Sequence, residues 1–345
     1  MRFISSFIIF FFILSCGNAD KHQKSKSEIS NLSNAIKEDP TNVDLILNRV
    51  KYNIGNKRFD SAIFDLKQCL SLDSNRVELH YMIAKIYFDF SKKPNANRKY
   101  PGLAKFHLEK YLKKNNSNYL VHALYGELLL AYKIYKQSLY HLNQSLSINY
   151  NQEKTHMLMG FLFNELGKKT EAINCFRNAI LIQPEYTEAY VQLGQIFHSK
   201  LDTMAVTYYD NALQISPNDE LVLYNKAVFY QETGNWNKSL AAYADLLNVS
   251  PFHANAHYNL GFIHMELKLF DVAVNNFSDA IYSDNLFYEA YYSRGVCYET
   301  LGNIMQAEVD YKRAIEIDSN YVYAIEALLE LKEKNKNYRT KKQYQ

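Results

Sequence analysis

Histidine and cysteine are the side chains of this sequence best suited to hold a metal or act as nucleophiles, and their spacing argues against both uses. The 345 residues include ten histidines and four cysteines. His253, His257 and His264 form the one sequence-close cluster, yet no Asp, Glu or Cys stands at ligand spacing with them, as a zinc donor set would require. Cys69, Cys175 and Cys297 lie far apart at helical positions, which suits buried free thiols better than a disulfide framework. There is no nucleophile elbow, phosphate-cradling loop or zinc-protease motif. The expectation is a chain with no catalytic residues, no metal and no cofactor.

The elements that position these residues are easiest to read between Thr155 and Pro184. His156, Met159, Gly160 and Phe163 recur at i, i+3, i+4 and i+7, the stripe of an amphipathic helix. Gly167 then supplies a turn that a β-carbon would resist. Ala172, Phe176 and Ala179 form the stripe of a second helix, which Pro184 closes because it lacks an N–H and restricts Gln183 before it. Gly160 and Ala172 are small enough for the two backbones to approach, and Phe176 fills the wedge beside them.

This hairpin resembles the tetratricopeptide repeat, a 34-residue unit with small and aromatic residues at fixed places and a closing proline. The pattern returns in eight units, at 43–76, 77–118, 119–152, 153–186, 187–219, 220–253, 254–287 and 288–321. The eighth position reads Gly126, Gly160, Gly194, Gly261 and Gly295, with Val50, Ala84 and Ala227 elsewhere. The second-helix alanine reads Ala62, Ala104, Ala172, Ala205, Ala273 and Ala307, with Ser138 and Ser239 as exceptions. Four residues later come Leu66, Leu108, Leu142, Phe176, Tyr209, Tyr243, Phe277 and Tyr311. In this register His80, His122, His156 and His257 all take the fourth position, which reads as packing. The resemblance implies an all-α, right-handed superhelical solenoid of helical hairpins. Such a stack grows without the single core that 345 residues would strain.

The flanks are read separately. The opening MRFISSFIIFFFILSC has one basic residue, an apolar run from Phe7 to Leu14, and Leu14-Ser15-Cys16. It resembles the signal of bacterial lipoproteins, in which Cys16 would become the acylated N-terminus. The run is short for a spanning helix, and an ordinary signal prefers small residues at its cleavage site. Residues 1–15 are thus read as a signal peptide and 16–27 as a lipidated tether. No aspartate follows Cys16, so the resemblance implies the outer membrane over the inner, with the periplasmic or surface face open. Residues 28–40 are a capping helix with Ile29, Leu32, Ala35 and Ile36 as its stripe, residues 41–321 the repeats, and 322–345 a second cap with a basic tail. Tyr323, Ile325, Leu328, Leu329 and Leu331 form the stripe of that second cap. The insertion SKKPNANRKYPG lengthens the turn of repeat two, with Pro94, Pro101 and Gly102 as loop formers. Its lysines are either solvated or in contact with acidic partners or lipid phosphates. The tail is read the same two ways, as a solvated end or a binding arm.

With 39 basic and 36 acidic residues, the net charge of +3 carries no nucleic-acid reading. Other proteins are the expected partners, as peptide or helix segments, alongside a membrane reached through the lipid anchor; no small-molecule substrate is expected. In the first helix of repeat seven Tyr258, Phe262 and Met265 make a second apolar stripe, which Tyr224 and Val228 continue in repeat six and Tyr292 and Val296 in repeat eight. By the resemblance these positions line a concave groove, rimmed by Gln231, Glu232, Glu266 and Glu299. In repeats one to five the fifth and ninth positions lack the Lys-then-Asn order of the family's carboxylate clamp, which implies no binding to acidic C-terminal tails. A scaffold or adaptor follows, with a self-associating architectural protein and an enzyme built from distant loops as alternatives.

Overall fold

The computed structural model describes the backbone of residues 28–343 and the side chains of residues 28–334, and every regular element among them is a helix. The expected signal segment, Cys16 and the tether lie outside the described residues. The helices form two compact units that meet in sequence at Leu166 and Gly167, between the two helices of the fourth repeat.

In the first unit α1 (residues 28–38) precedes three hairpins: α2 (Val43–Gly55) with α3 (Phe59–Leu72), α4 (Glu78–Ser91) with α5 (Tyr100–Lys114), and α6 (Tyr119–Ala131) with α7 (Tyr135–Ile148). Helix α8 (Glu153–Glu165) packs on α6 and α7. In the second unit α9 (Lys169–Ile182) is followed by four hairpins: α10 (Thr187–His198) with α11 (Met204–Ile215), α12 (Glu220–Glu232) with α13 (Trp236–Val249), α14 (Ala254–Glu266) with α15 (Phe270–Ser283), and α16 (Tyr288–Thr300) with α17 (Ile304–Ile317). Helix α18 (Val322–Gln343) closes on α17.

Side-chain volume at the helix crossings holds each hairpin together. A β-carbon built on Gly194, Gly261 or Gly295 would stand 2.4, 2.7 or 2.6 Å from the ring of Tyr209, Phe277 or Tyr311, so the ring occupies the space that glycine leaves. The alanines that begin each second-helix stripe are fully buried. Their two serine exceptions have a reason: the Ser138 hydroxyl donates to the Gly126 carbonyl at 2.8 Å and the Ser239 hydroxyl to the Ala227 carbonyl at 2.9 Å. A buried hydroxyl is tolerated because it is satisfied.

The inter-helix turn is left-handed at one repeated position. Gly167, Gly234 and Gly302 hold it at φ 73°, 69° and 83°, and Lys57, Lys133, Leu201 and Lys268 hold it at 57°, 58°, 52° and 61° despite their β-carbons.

Three expectations about the flanks are refined. The α1 stripe is packed to different depths, with Ile36 buried and Ile29, Leu32 and Ala35 half-buried. The insertion loop ends at Lys99, because Pro101 and Gly102 sit in the first turn of α5, where a missing N–H costs nothing. The inner face of α18 is Ala324, Leu328 and Leu331 at i, i+4 and i+7, while Tyr323 and Leu329 are exposed. The small Ala324, fully buried, sets which way the helix rolls.

Candidate partner-binding surface

The first helices of three successive repeats in the second unit carry the apolar stripe expected to bind a partner. Tyr224, Val228, Tyr258, Phe262, Met265, Tyr292 and Val296 are all half-buried. Each tyrosine leans on the ring that fills its own hairpin. Centroids lie 6.1 Å apart for Tyr224 and Tyr243, 5.5 Å for Tyr258 and Phe277, and 5.9 Å for Tyr292 and Tyr311. The stripe is therefore partly core and only partly the open groove lining expected from the sequence. Tyr258 and Met265 pack around Ala273, Phe277 and Cys297, and show only part of their surface to solvent.

The turn that enters each following repeat packs on these tyrosines from the other side. Tyr224 stacks on His253 at 5.2 Å, Tyr258 meets Phe287 at a tilt of 33° and 4.9 Å, and Tyr292 meets Tyr321 edge-on at 5.5 Å. Tyr321 in turn touches Tyr288 and Tyr323, so four tyrosines cluster at the end of the stripe. Burial raises the Tyr292 and Tyr321 hydroxyls above the usual phenol range, and both stay protonated donors at neutral pH.

The expected rim is only partly open. Gln231 accepts from the Tyr243 hydroxyl at 2.7 Å. Glu232 lies 3.1 Å from His198 Nε2, and Glu299 accepts from the Tyr311 hydroxyl at 3.0 Å and from Lys334 Nζ at 3.0 Å. Glu266 is exposed. Sequence reasoning missed Asn259, whose amide donates to the hydroxyls of both Tyr224 and Tyr243, at 3.2 and 2.8 Å. Its position, one repeat plus one residue after Tyr224, was the available signal.

The fourth-position histidines do more than fill space. His122, His156 and His257 each set Nε2 against the carbonyl six residues earlier, Asn116, Tyr150 and Pro251, at 3.2, 3.1 and 2.9 Å. They tie the entry turn to the first helix. His264 bonds Asn276 at 2.8 Å. Among the described residues no three His, Cys, Asp or Glu side chains gather to hold a metal. Cys69, Cys175 and Cys297 are buried free thiols, and burial pushes Cys175 up to about 11 and Cys297 to about 12. A depression of about 480 Å³ in the first unit is lined by Ile29, Arg49, Asn53, Phe64 and Asp65. Its buried carboxylate, Asp65, accepts from Arg49 at 2.9 and 2.7 Å and from Asn53 at 3.2 Å, the arrangement of a structural ion pair.

A chain of stacked helical hairpins presenting recurrent half-exposed aromatics is a helical-repeat protein, a class built for surface contact rather than for an enclosed site. Three family models described as tetratricopeptide repeat match residues 153–186, 224–274 and 288–321, the first and last coinciding with repeats four and eight as read from the sequence. The chain is a tetratricopeptide repeat protein. It is 23% identical over 267 residues to the human "Protein O-mannosyl-transferase TMTC3", covering 70% of this chain and 28% of that one. It is 26% identical over 226 residues to the Saccharomyces cerevisiae "Peroxisomal targeting signal receptor", covering 64% and 36%. It thus spans about a third of the length of either relative. The human "DnaJ homolog subfamily C member 7" is 22% identical over 351 residues, covering 93% and 70%. Among solved structures, the C-terminal part of a repeat-containing protein from Cytophaga hutchinsonii superposes with a TM-score of 0.64 at 14% identity, covering 73% of this chain and 99% of that one. That likeness concerns the fold alone.

Proposed function

We propose that the chain is a non-enzymatic scaffold or adaptor that binds segments of other proteins along the first helices of its second unit. In this reading an acylated Cys16 holds it in a bacterial cell envelope, at the outer membrane, where it helps to assemble an envelope complex. The observation that carries the binding reading is the recurrence of Tyr224, Tyr258 and Tyr292 at one repeat position, each half-exposed and braced from both sides. Braced aromatics offer contact area at little entropic cost. The occupant that fits is a peptide or helix with apolar anchors and some basic residues, the latter facing Glu266. The yeast targeting-signal receptor among the relatives is, by its name, a receptor for a signal.

The test is capture of native partners from crosslinked membranes. Phe262→Ala, alone and with Tyr258→Ala, weakens capture by roughly 1–3 kcal/mol while the helical circular dichroism holds. Unchanged capture, or capture lost together with helicity, moves the binding surface elsewhere. Cys16→Ser abolishes labelling by a tagged fatty acid, and a wild-type chain that takes up no label would refute the anchoring.

A further inference from the structure

The outer face of the first unit carries a second pattern, which the stripe does not use. Two residues after the buried Ala62, Ala104 and Ser138 stand Phe64, Phe106 and Tyr140, exposed by 68%, 50% and 54%. Two steps of about 100° turn a side chain to the far side of its helix, so these three aromatics project away from the hairpin core. They occupy one equivalent position on α3, α5 and α7, and a repeat stack carries equivalent positions into a row. In the second unit the same position reads Asn174, Thr207, Ala241, Asn275 and Val309. The aromatic row is confined to the first unit.

Charge is divided at the same place. Residues 28–166 hold 19 basic and 13 acidic side chains, a net +6, whereas residues 167–345 hold 16 and 22, a net −6 even with the basic tail included. The excess concentrates around α5, where residues 85–114 contain nine basic side chains against Asp89 and Glu109. From the N-cap of α5 onward, Lys99, Leu103, Phe106, Lys110 and Lys113 fall at i, i+4, i+7, i+11 and i+14 and all are exposed. The Lys110 ammonium lies 5.5 Å from the Phe106 ring centroid. The face also carries acids, Asp60 on α3 and Glu109 on α5, the latter accepting from the Tyr125 hydroxyl at 2.9 Å.

We propose that this face of α3, α5 and α7 docks on an anionic phospholipid bilayer, its lysines on the headgroup phosphates and Phe64, Leu103, Phe106 and Tyr140 at the level of the acyl boundary. Lysines and aromatics sharing one face of a helix are what an interfacial contact requires, since each ring needs an apolar depth that a ring of ammonium groups holds in register. A solvated charge run has no use for a row of exposed rings. The contact does not depend on acylation of Cys16, although the two together would supply the two signals that stable membrane association takes.

The experiment is co-sedimentation of the full chain with neutral phosphatidylcholine vesicles and with vesicles containing about 30 mol% phosphatidylglycerol, where adsorption of several lysines predicts a gain of roughly tenfold or more. Lys21, Lys24 and Lys26 of the N-terminal segment and the basic tail also favour the anionic vesicles, so the readout is the part of the gain that the α5 substitutions remove. Replacing Lys99, Lys110 and Lys113 with Glu removes most of the gain, and about 0.5 M salt suppresses it in the wild type. Phe64→Ser with Phe106→Ser and Tyr140→Ser lowers binding to the anionic vesicles at equal helicity. All these sites are exposed, so the fold tolerates the changes; Lys→Gln at the same three positions checks that repulsion alone is not being read. Equal partition on both vesicles, or a gain that survives charge reversal, overturns the proposal. So does a charge-dependent rise in mass with concentration in light scattering without any vesicle gain, which would give the face to the acidic second unit of another copy.

Discussion

The Nδ1 atoms of His80 on α4 and His107 on α5 lie 2.8 Å apart. One must donate and the other accept, so a second proton would set two cations face to face. His122 and His141 repeat the arrangement at 3.0 Å one hairpin later. Burial is the main cause that pushes His107 and His141 down to about 4, with the partner imidazole next and, for His107, Lys67 as well.

The first prediction is acid lability of the first unit. Because the folded pKa lies below the unfolded 6.5, the unfolded chain binds more protons between about pH 6.5 and 4, and stability falls as pH falls through that window. For His107 the shift corresponds to about 3 kcal/mol. Urea unfolding at pH 7.5 and 5 should show the loss, and His107→Gln should flatten it. An unchanged midpoint across that range would remove the histidine pairs from the account.

Gly261→Ala should destabilise the chain by roughly 1–3 kcal/mol, because its β-carbon would stand 2.7 Å from two carbons of the Phe277 ring, which is buried and has nowhere to turn. Gly55→Ala meets nothing within 4 Å and should be neutral or stabilising by up to about 1 kcal/mol. Thermal melts of the two variants separate close packing from a general intolerance of substitution.

Lys57, Lys133, Leu201 and Lys268 pay conformational strain at the left-handed turn position. Glycine there relieves about 1–2 kcal/mol of steric cost and returns part of it as unfolded-state entropy. Each replacement should therefore stabilise by about 0.5–1 kcal/mol, and the four together should raise the melting temperature. A lowered one would mean that the side chains earn their place by contacts.

Arg294 grips Asp310 with two bonds of 2.8 Å, and the carboxylate side chain is 4% exposed. Arg294→Ala should cost about 3–5 kcal/mol, since it strands a buried charge, whereas Arg294→Met with Asp310→Leu should come close to neutral. Equal losses in the two chemical denaturation curves would mean that the pair itself contributes net stability.

The hairpins were legible in the sequence because their determinants are local. A small residue, a large Leu, Phe or Tyr side chain at a fixed offset and a turn recur through the units of about 34 residues, and each hairpin meets mainly its neighbours, so the period specifies the helices and their pairing. How deeply the stripe sits was settled in three dimensions. Tyr258 looks surplus on its own helix, and only the packing of Phe277 and Phe287 on its two sides makes it half core. Likewise His80 finds His107 across 27 residues and an insertion that hides the register. The roll of α18 onto Ala324 rather than Tyr323 depends on the surface of α17 beneath it. Periodicity marks which residues share a helical face; how much of that face stays in water depends on the neighbouring repeats, whose side chains meet it only after the stack has formed.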